Sequence, residues 1–250
     1  MEFQTGNFTV RVNVPDWPTL ERALRARITA GEGYALATLN LDHLVKLSVP
    51  GPFRAAYAMQ DFVTADGNPI VWCAGLAGRP VGLLPGSDMI LPLARIAADM
   101  GVKLGLFGSS EESLAGAARA LKDAVPGLEV AACIAPPMGF DPDGSEAREI
   151  LRDLHRAGVG LCLIALGAPK QERLAALGRE VAPEMGFASI GAGLDFLSGT
   201  QARAPRWVRR IAMEWAWRML SDPARMIGRY TLSARILPGH FWRSFRMRQS

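Results

Sequence analysis

The last fifty residues contain no lysine. From Gln201 to Ser250 every basic side chain is one of eleven arginines, set against Glu214 and Asp222, a net of +9. Met1 to Thr200 hold 17 Lys and Arg and 22 Asp and Glu, a net of −5. Cysteine is also scarce. Cys73, Cys133 and Cys162 are odd in number and lack CxxC spacing, which argues against a structural zinc or a disulfide framework and for a reducing compartment. Uncharged stretches such as 158–169 fall short of the roughly 18 apolar residues that a spanning helix needs. The start, MEFQTGNFTV, lacks the basic and apolar regions of a secretory signal, so a cytoplasmic chain that does not cross a bilayer is expected. No fixed-period repeat, low-complexity segment, P-loop, serine elbow or zinc signature is visible.

What the chain does have is apolar mass and alternation. At 250 residues and 49% hydrophobic it can bury a sizeable core. Short apolar runs at Tyr34–Asn40, Asp61–Ala65, Val102–Phe107, Glu129–Ile134, Gly160–Leu166 and Phe187–Gly191 alternate with helical patterns. Near-continuous hydrophobicity suits strands covered on both faces, and the alternation predicts an α/β, doubly wound (Rossmann-like), mostly parallel sheet over residues 1–200. Ser109 with Glu112 has the capping-box pattern, and Pro169 opens a helix carrying Lys170, Gln171 and Glu172.

Residues 201–250 read as a basic, Trp-rich helical appendage. Trp207, Ile211, Trp215 and Met219 recur every four positions over 205–220, and Asp222-Pro223 starts a second helix expected to stop before Pro238. Arginine's planar fork suits phosphate and tryptophan seeks the boundary between apolar and wet surroundings, so the tail is a candidate surface for phosphate or membrane.

In doubly wound sheets ligands bind beyond the carboxyl ends of the strands. There the sequence places Thr38-Leu39-Asn40 and Asp66-Gly67. An Asp-Gly turn exposes a carboxylate suited to general-base work, the alternative being a cap or turn aspartate. His43 is an acid, base or ligand, or a structural histidine at a helix start. Gly167-Ala168-Pro169-Lys170-Gln171-Glu172 offers a cation, an amide and an acid on one helical turn, the alternative being a capped surface helix. Gly191-Ala192-Gly193 lacks the third glycine of a dinucleotide fingerprint and comes late in the sheet, which disfavours NAD. Asp141-Pro142-Asp143 has the form of a metal site but sits in a turn-rich context.

Together these segments form a pattern. Thr38-x-Asn40, Ala65-Asp66-Gly67-x-Pro69-x-Val71-Trp72, Pro85-Gly86-Ser87-Asp88, Ala165 to Glu172, Gly191-Ala192-Gly193-x-Asp195-Phe196-x-x-Gly199 and Arg203-Ala204-Pro205-Arg206-Trp207 occur in this order. The chain resembles the WecG/TagA/CpsF glycosyltransferase family over residues of about 35 to 235. The resemblance implies transfer of a sugar from a nucleotide diphosphate donor, UDP in the first instance, to a polyprenyl-diphosphate-linked saccharide at the inner face of the cytoplasmic membrane, in cell-surface polysaccharide synthesis. It implies inversion, no metal and no other cofactor, Asp66 as catalytic base, and Thr38, Asn40 and Gln171 lining the pocket. The basic tail matches a membrane-docking appendage that closes the site with arginines. Arg203, Arg206, Arg210, Arg218, Arg225 and Arg229 are the candidates for stabilising the departing diphosphate by charge-assisted bonds. One departure is Leu83, where the family usually carries an arginine; Arg79 is the nearby replacement. A homo-oligomer is compatible with the sequence. The rivals are a non-enzymatic nucleic-acid binder using the same arginines and a nicotinamide-dependent oxidoreductase.

Overall fold

The computed structural model describes residues 1–205, 207–208, 212–221 and 223–249, apart from the side chains of Arg218 and Arg225. An antiparallel hairpin, β1 (Glu2–Thr5) and β2 (Phe8–Arg11), precedes the main sheet. The six parallel strands are β3 (Tyr34–Leu39), β4 (Phe62–Ala65), β5 (Lys103–Gly108), β6 (Val130–Ile134), β7 (Val159–Ala165) and β8 (Gly186–Ser189), in spatial order β4-β3-β8-β7-β5-β6. All six match the apolar runs of the sequence.

Helices cover both faces, as parallel crossovers require. Side chains alternate along a strand, so β7 sends Leu161 and Leu163 to one side and Cys162 and Ile164 to the other. The first pair packs with Leu20 and Leu24 of α1 (Trp17–Thr29), Leu93 and Ala97 of α5 (Gly86–Asp99), and Leu114 and Leu121 of α6 (Glu111–Ala124). The second packs with Leu151 of α7 (Ser145–Arg156) and with Leu174 and Ala175 of α8 (Lys170–Val181). A third cluster joins Ala37 and Leu39 of β3 to the hairpin through Phe3 and Val10, and to α2 (Leu41–Leu47), α3 (Pro52–Ala58) and α4 (Asn68–Leu76). The remaining helices are α9 (Gly193–Ser198), α10 (Glu214–Ser221) and α11 (Pro223–Met247).

Three local expectations are corrected. Ser110, rather than Ser109, caps α6 by accepting the Ser113 N–H at 3.2 Å. Ser109 instead adopts φ 61° and its hydroxyl binds Asp195. The helix expected over 205–220 is interrupted before α10: Ala212 has φ 61°, and the Met213 N–H reaches back to the Val208 carbonyl at 3.0 Å. Finally, α11 does not stop before Pro238 but runs through it. Proline removes one N–H and displaces the carbonyl four residues back. Pro238 and Ala234 are both exposed, so water can serve that carbonyl and the helix persists.

Candidate functional site

Four neighbouring strands deliver their carboxyl ends to one edge of the sheet. In spatial order these ends are Ala65-Asp66 after β4, Thr38 to Asn40 at β3, the Ser189–Gly191 exit of β8, and Gly167 to Gln171 after β7. Parallel pairing sets Thr38 beside Thr64 and Leu39 beside Ala65, which brings the two polar exits together. The Asp66 N–H continues this ladder to the Leu39 carbonyl at 2.8 Å.

Asp66 Oδ2 is 3.4 Å from Thr38 Oγ1 and 3.3 Å from Asn40 Nδ2, both of which donate to it. Gly67, not Asp66, is the cap residue of α4, so the carboxylate is not spent on that helix. Asn40 has two tasks. Its Oδ1 accepts the His43 N–H at 3.0 Å and so caps α2, which leaves its amide nitrogen directed at Asp66. The cap fixes which end of the amide faces the acid.

His43 supports this corner from within. It is buried, and its Nδ1 lies 2.7 Å from the Thr38 carbonyl and 2.9 Å from the Tyr57 hydroxyl. Tyr57 donates to the same carbonyl at 2.5 Å. Burial pushes the imidazole down to about 4, partly offset by Asp42, so His43 is neutral and structural at neutral pH. Beside it, burial alone would raise Asp42, but Lys46 at 2.6 Å and Arg229 at 3.1 Å outweigh it and hold the carboxyl below its usual range.

Gln171 and Glu172 are not on a surface helix: their exposures are 3% and 0%. Gln171 Oε1 accepts the Gly191 N–H at 3.0 Å, and its Nε2 donates to Glu172 Oε1 at 2.8 Å. Desolvation lifts the Glu172 carboxyl to about 7. The sequence signal for this burial is faint, since an acid in the first turn of a helix ordinarily reads as a solvated, dipole-favoured residue.

Close packing joins the β8 exit to α5. A Cβ on Gly86 would lie 2.8 Å from Ile190 Cα, and one on Gly193 would lie 2.3 Å from Ile90 Cδ1, so both positions exclude side chains. Leu83 forms a parallel bridge to Ala65, and the Leu84 N–H donates to the Ala65 carbonyl at 2.8 Å. Residue 83 is therefore next to the Asp66 exit, 42% exposed and without a cation. Arg79 is exposed and bears on the N-terminal amine of Met1.

The tail arginines divide. Arg203 pairs with Asp88 at 2.5 Å and lies over the Phe196 ring at 5.7 Å, clasping the start of the tail to α5 and α9. Arg229 is engaged by Asp42. Arg206 and Arg210 lie outside the described residues, as do the side chains of Arg218 and Arg225. Asp141 and Asp143 both face Arg173, and the Asp143 N–H closes a turn onto Asp141 at 3.2 Å. Among the described residues no three His, Cys, Asp or Glu side chains converge as a metal cluster.

Helix α11 mixes its faces. It buries Ser233, His240 and Ser244 together with Met226, while Ile227, Leu232, Trp242 and Phe245 are exposed. His240 stands 6.1 Å from the Phe3 ring, and Ser244 hydrogen-bonds Cys73 of α4. Leu76, Pro238, Phe241, Trp242 and Phe245 line an open apolar groove of about 460 Å³ between α4 and α11. Among the described residues no helix is long and apolar enough to cross a membrane.

Comparison with known proteins follows the same outline. The family described as Glycosyl transferase WecG/TagA/CpsF matches residues 6–250. The chain is 27% identical over 176 residues to the N-acetylglucosaminyldiphosphoundecaprenol N-acetyl-beta-D-mannosaminyltransferase of Bacillus spizizenii, covering 69% of this chain and 65% of that protein. It is 25% identical over 195 residues to the protein of the same description from Bacillus subtilis, covering 77% of this chain and 73% of that one. The matched segment thus spans just under two thirds of the Bacillus spizizenii relative.

Proposed function

Because the chain belongs to the WecG/TagA/CpsF glycosyl transferase family, we propose that it transfers a sugar from a nucleotide diphosphate, UDP in the first instance, to a polyprenyl-diphosphate-linked saccharide in cell-surface polysaccharide synthesis. The relatives' printed descriptions supply the acceptor class and make an N-acetylhexosamine the first sugar to test. The observation that carries the reading is Asp66 at the carboxyl end of the sheet, oriented by Thr38 and Asn40. In this mechanism Asp66 removes the proton of an acceptor hydroxyl as that oxygen attacks the anomeric carbon. The carbon–oxygen bond to the diphosphate breaks on the opposite side, which inverts the centre. Charge gathering on the leaving diphosphate is met by tail arginines rather than a metal. Arg203 and Arg229 act as clasps that hold the tail to the body, which leaves the diphosphate to Arg206, Arg210, Arg218 and Arg225.

The membrane half of the proposal is supported by α11. Aromatic and aliphatic side chains such as Ile227, Leu232, Trp242 and Phe245 outside suit a helix whose outer face meets an apolar medium, and arginine favours an anionic one. The protein then works as a peripheral protein at the inner face of the membrane, with no role for nucleic acid.

A panel of UDP-sugars offered with a short-chain polyprenyl-diphosphate acceptor, read by mass spectrometry, tests the chemistry. One donor should give an adduct whose anomeric configuration is opposite to the donor's; no adduct with any donor overturns the reading. Cosedimentation with phosphatidylglycerol vesicles tests the membrane half. Replacing Trp242 and Phe245 together by serine should weaken binding about tenfold or more, since burying one such side chain is worth about 1.5–3 kcal/mol. Undiminished binding refutes it.

A further inference from the structure

Glu172 has no place in the reaction as written, yet its environment is costly. Its side chain is fully buried, and its Oε2 has no hydrogen-bond partner among the described residues. No salt bridge reaches it among those residues either. The nearby cation, Lys46 of α2, is already held by Asp42 at 2.6 Å and by the Ala168 carbonyl at 3.1 Å. The other titratable groups that bear on it are Asp42 and the Tyr57 phenol of α3, whose own ionisation is opposed by Glu172 and Asp66. From the same region, Gln60 donates to the Glu172 backbone carbonyl at 3.2 Å, not to its carboxylate. An apolar side chain of similar volume would fill this space without the desolvation penalty.

What the carboxylate does provide is a single acceptor, aimed at Gln171. The Gln171 amide is pinned at both ends, its oxygen by the Gly191 N–H and its nitrogen by Glu172. Each anchor alone leaves the carboxamide a swing about the other; together they allow one orientation. Gly191, with φ 59°, begins the turn that leads into α9, and Gly193, the first residue of α9, is packed against Ser87 and Ile90 of α5.

We propose that Glu172 is a positioning residue for the transfer, holding the Gln171 carboxamide in one orientation and, through it, tying the β8 exit loop at Gly191 to the first turn of α8. This rests on Gln171 taking part in the reaction proposed above. Burial opposes ionisation of this carboxyl, and replacing it by an apolar side chain relieves the fold while releasing the Gln171 amide.

The test is a double-mutant cycle on the full chain with Glu172→Leu, Gln171→Ala and the pair, beside Glu172→Gln. Glu172→Leu should lower kcat by about 100-fold, the scale of a catalytic group misplaced by an ångström. In the Gln171→Ala background the same change should cost less than threefold, because the residue it positions is gone. Glu172→Gln, which keeps a carbonyl acceptor, should retain kcat within a few fold. Its Tm should rise at pH 8 and stay unchanged at pH 5, where the wild-type carboxyl is already protonated. Independently of activity, amide hydrogen exchange at Gly191 should accelerate at least tenfold in Glu172→Leu while the Leu174 amide in α8 is unaffected. Additive losses in the cycle, an unaltered Gly191 amide, or a Tm that falls at both pH values in both Glu172 variants would each overturn the proposal. If the wild-type protein transfers no sugar at all, the functional reading fails, and Gly191 exchange with the paired Tm values still decides whether Glu172 holds the loop.

Discussion

The parallel sheet and the C-terminal helix treat the same kinds of side chain in opposite ways. In the body, apolar residues fill the core, and several polar groups at the strand exits are held in partnership: Thr38 and Asn40 with Asp66, His43 with Tyr57. In α11, Ser233, His240 and Ser244 are inside while Ile227, Leu232, Trp242 and Phe245 face outward. The outward apolar residues of α11 and the tail's charge, +9 against the body's −5, are what the membrane proposal rests on. Under the function proposed above, such a division suits chemistry in water on a substrate anchored in lipid.

The sharpest way to separate the two is to remove chemistry from the body alone. Asp66→Asn should lower transfer by about 10²–10⁴-fold, the range of general-base catalysis, while vesicle binding and Tm stay at wild-type values. Loss of vesicle binding in that variant would mean that the two regions are not separable. Acid offers the next largest effect. Burial depresses both His43 in the body and His240 in the tail to about 4. A depressed histidine keeps its stabilising effect above its unfolded value near 6.5 and loses it as pH falls toward 4. Stability should therefore decline over that window by up to about 3 kcal/mol for His43, with a further loss from His240. Comparing His43→Gln with His240→Gln by thermal melts from pH 7 to 4 shows which region yields first.

Two smaller changes probe the joints. Asn40→Asp preserves the cap on α2, for which aspartate and asparagine are about equal, but sets a second carboxylate beside Asp66 where a donor stood. A fall in kcat of about 10–100-fold with little change in Tm is expected; an intact kcat would show that Asp66 needs no donor there. Arg229→Ala removes the link to Asp42 on α2, a pair 40% exposed on the arginine side, and should cost below about 1 kcal/mol in urea denaturation. A larger loss would show that the tail is fastened to the body more tightly than its contacts imply.

Legibility in the sequence followed the strength of the local signal. The six central strands were readable because burial on both faces leaves nearly uninterrupted apolar runs. The four-residue strands of the hairpin carry too little pattern, with only Phe3 and Thr5 inward in β1. Thr38, Asn40 and Asp66 were readable because a strand exit is a defined place. Their mutual hydrogen bonds were not, since these depend on the β3–β4 register. The burial of Glu172 was not readable, because nothing local distinguishes a buried acid from a solvated one. The passage of α11 through Pro238 depended on the exposure of Ala234, and the break at Ala212 on a left-handed backbone that alanine rarely adopts.

The Asn40 cap has a kinetic corollary. Its amide nitrogen is held toward Asp66 by the bond from the His43 N–H to its oxygen, so when the first turn of α2 frays the acid keeps the Thr38 hydroxyl but loses its amide donor. The lifetime of that one helical turn becomes a clock for the competent state. Protection of the His43 amide against exchange, measured in the resting protein, therefore sets an upper bound on the fraction of molecules ready to react.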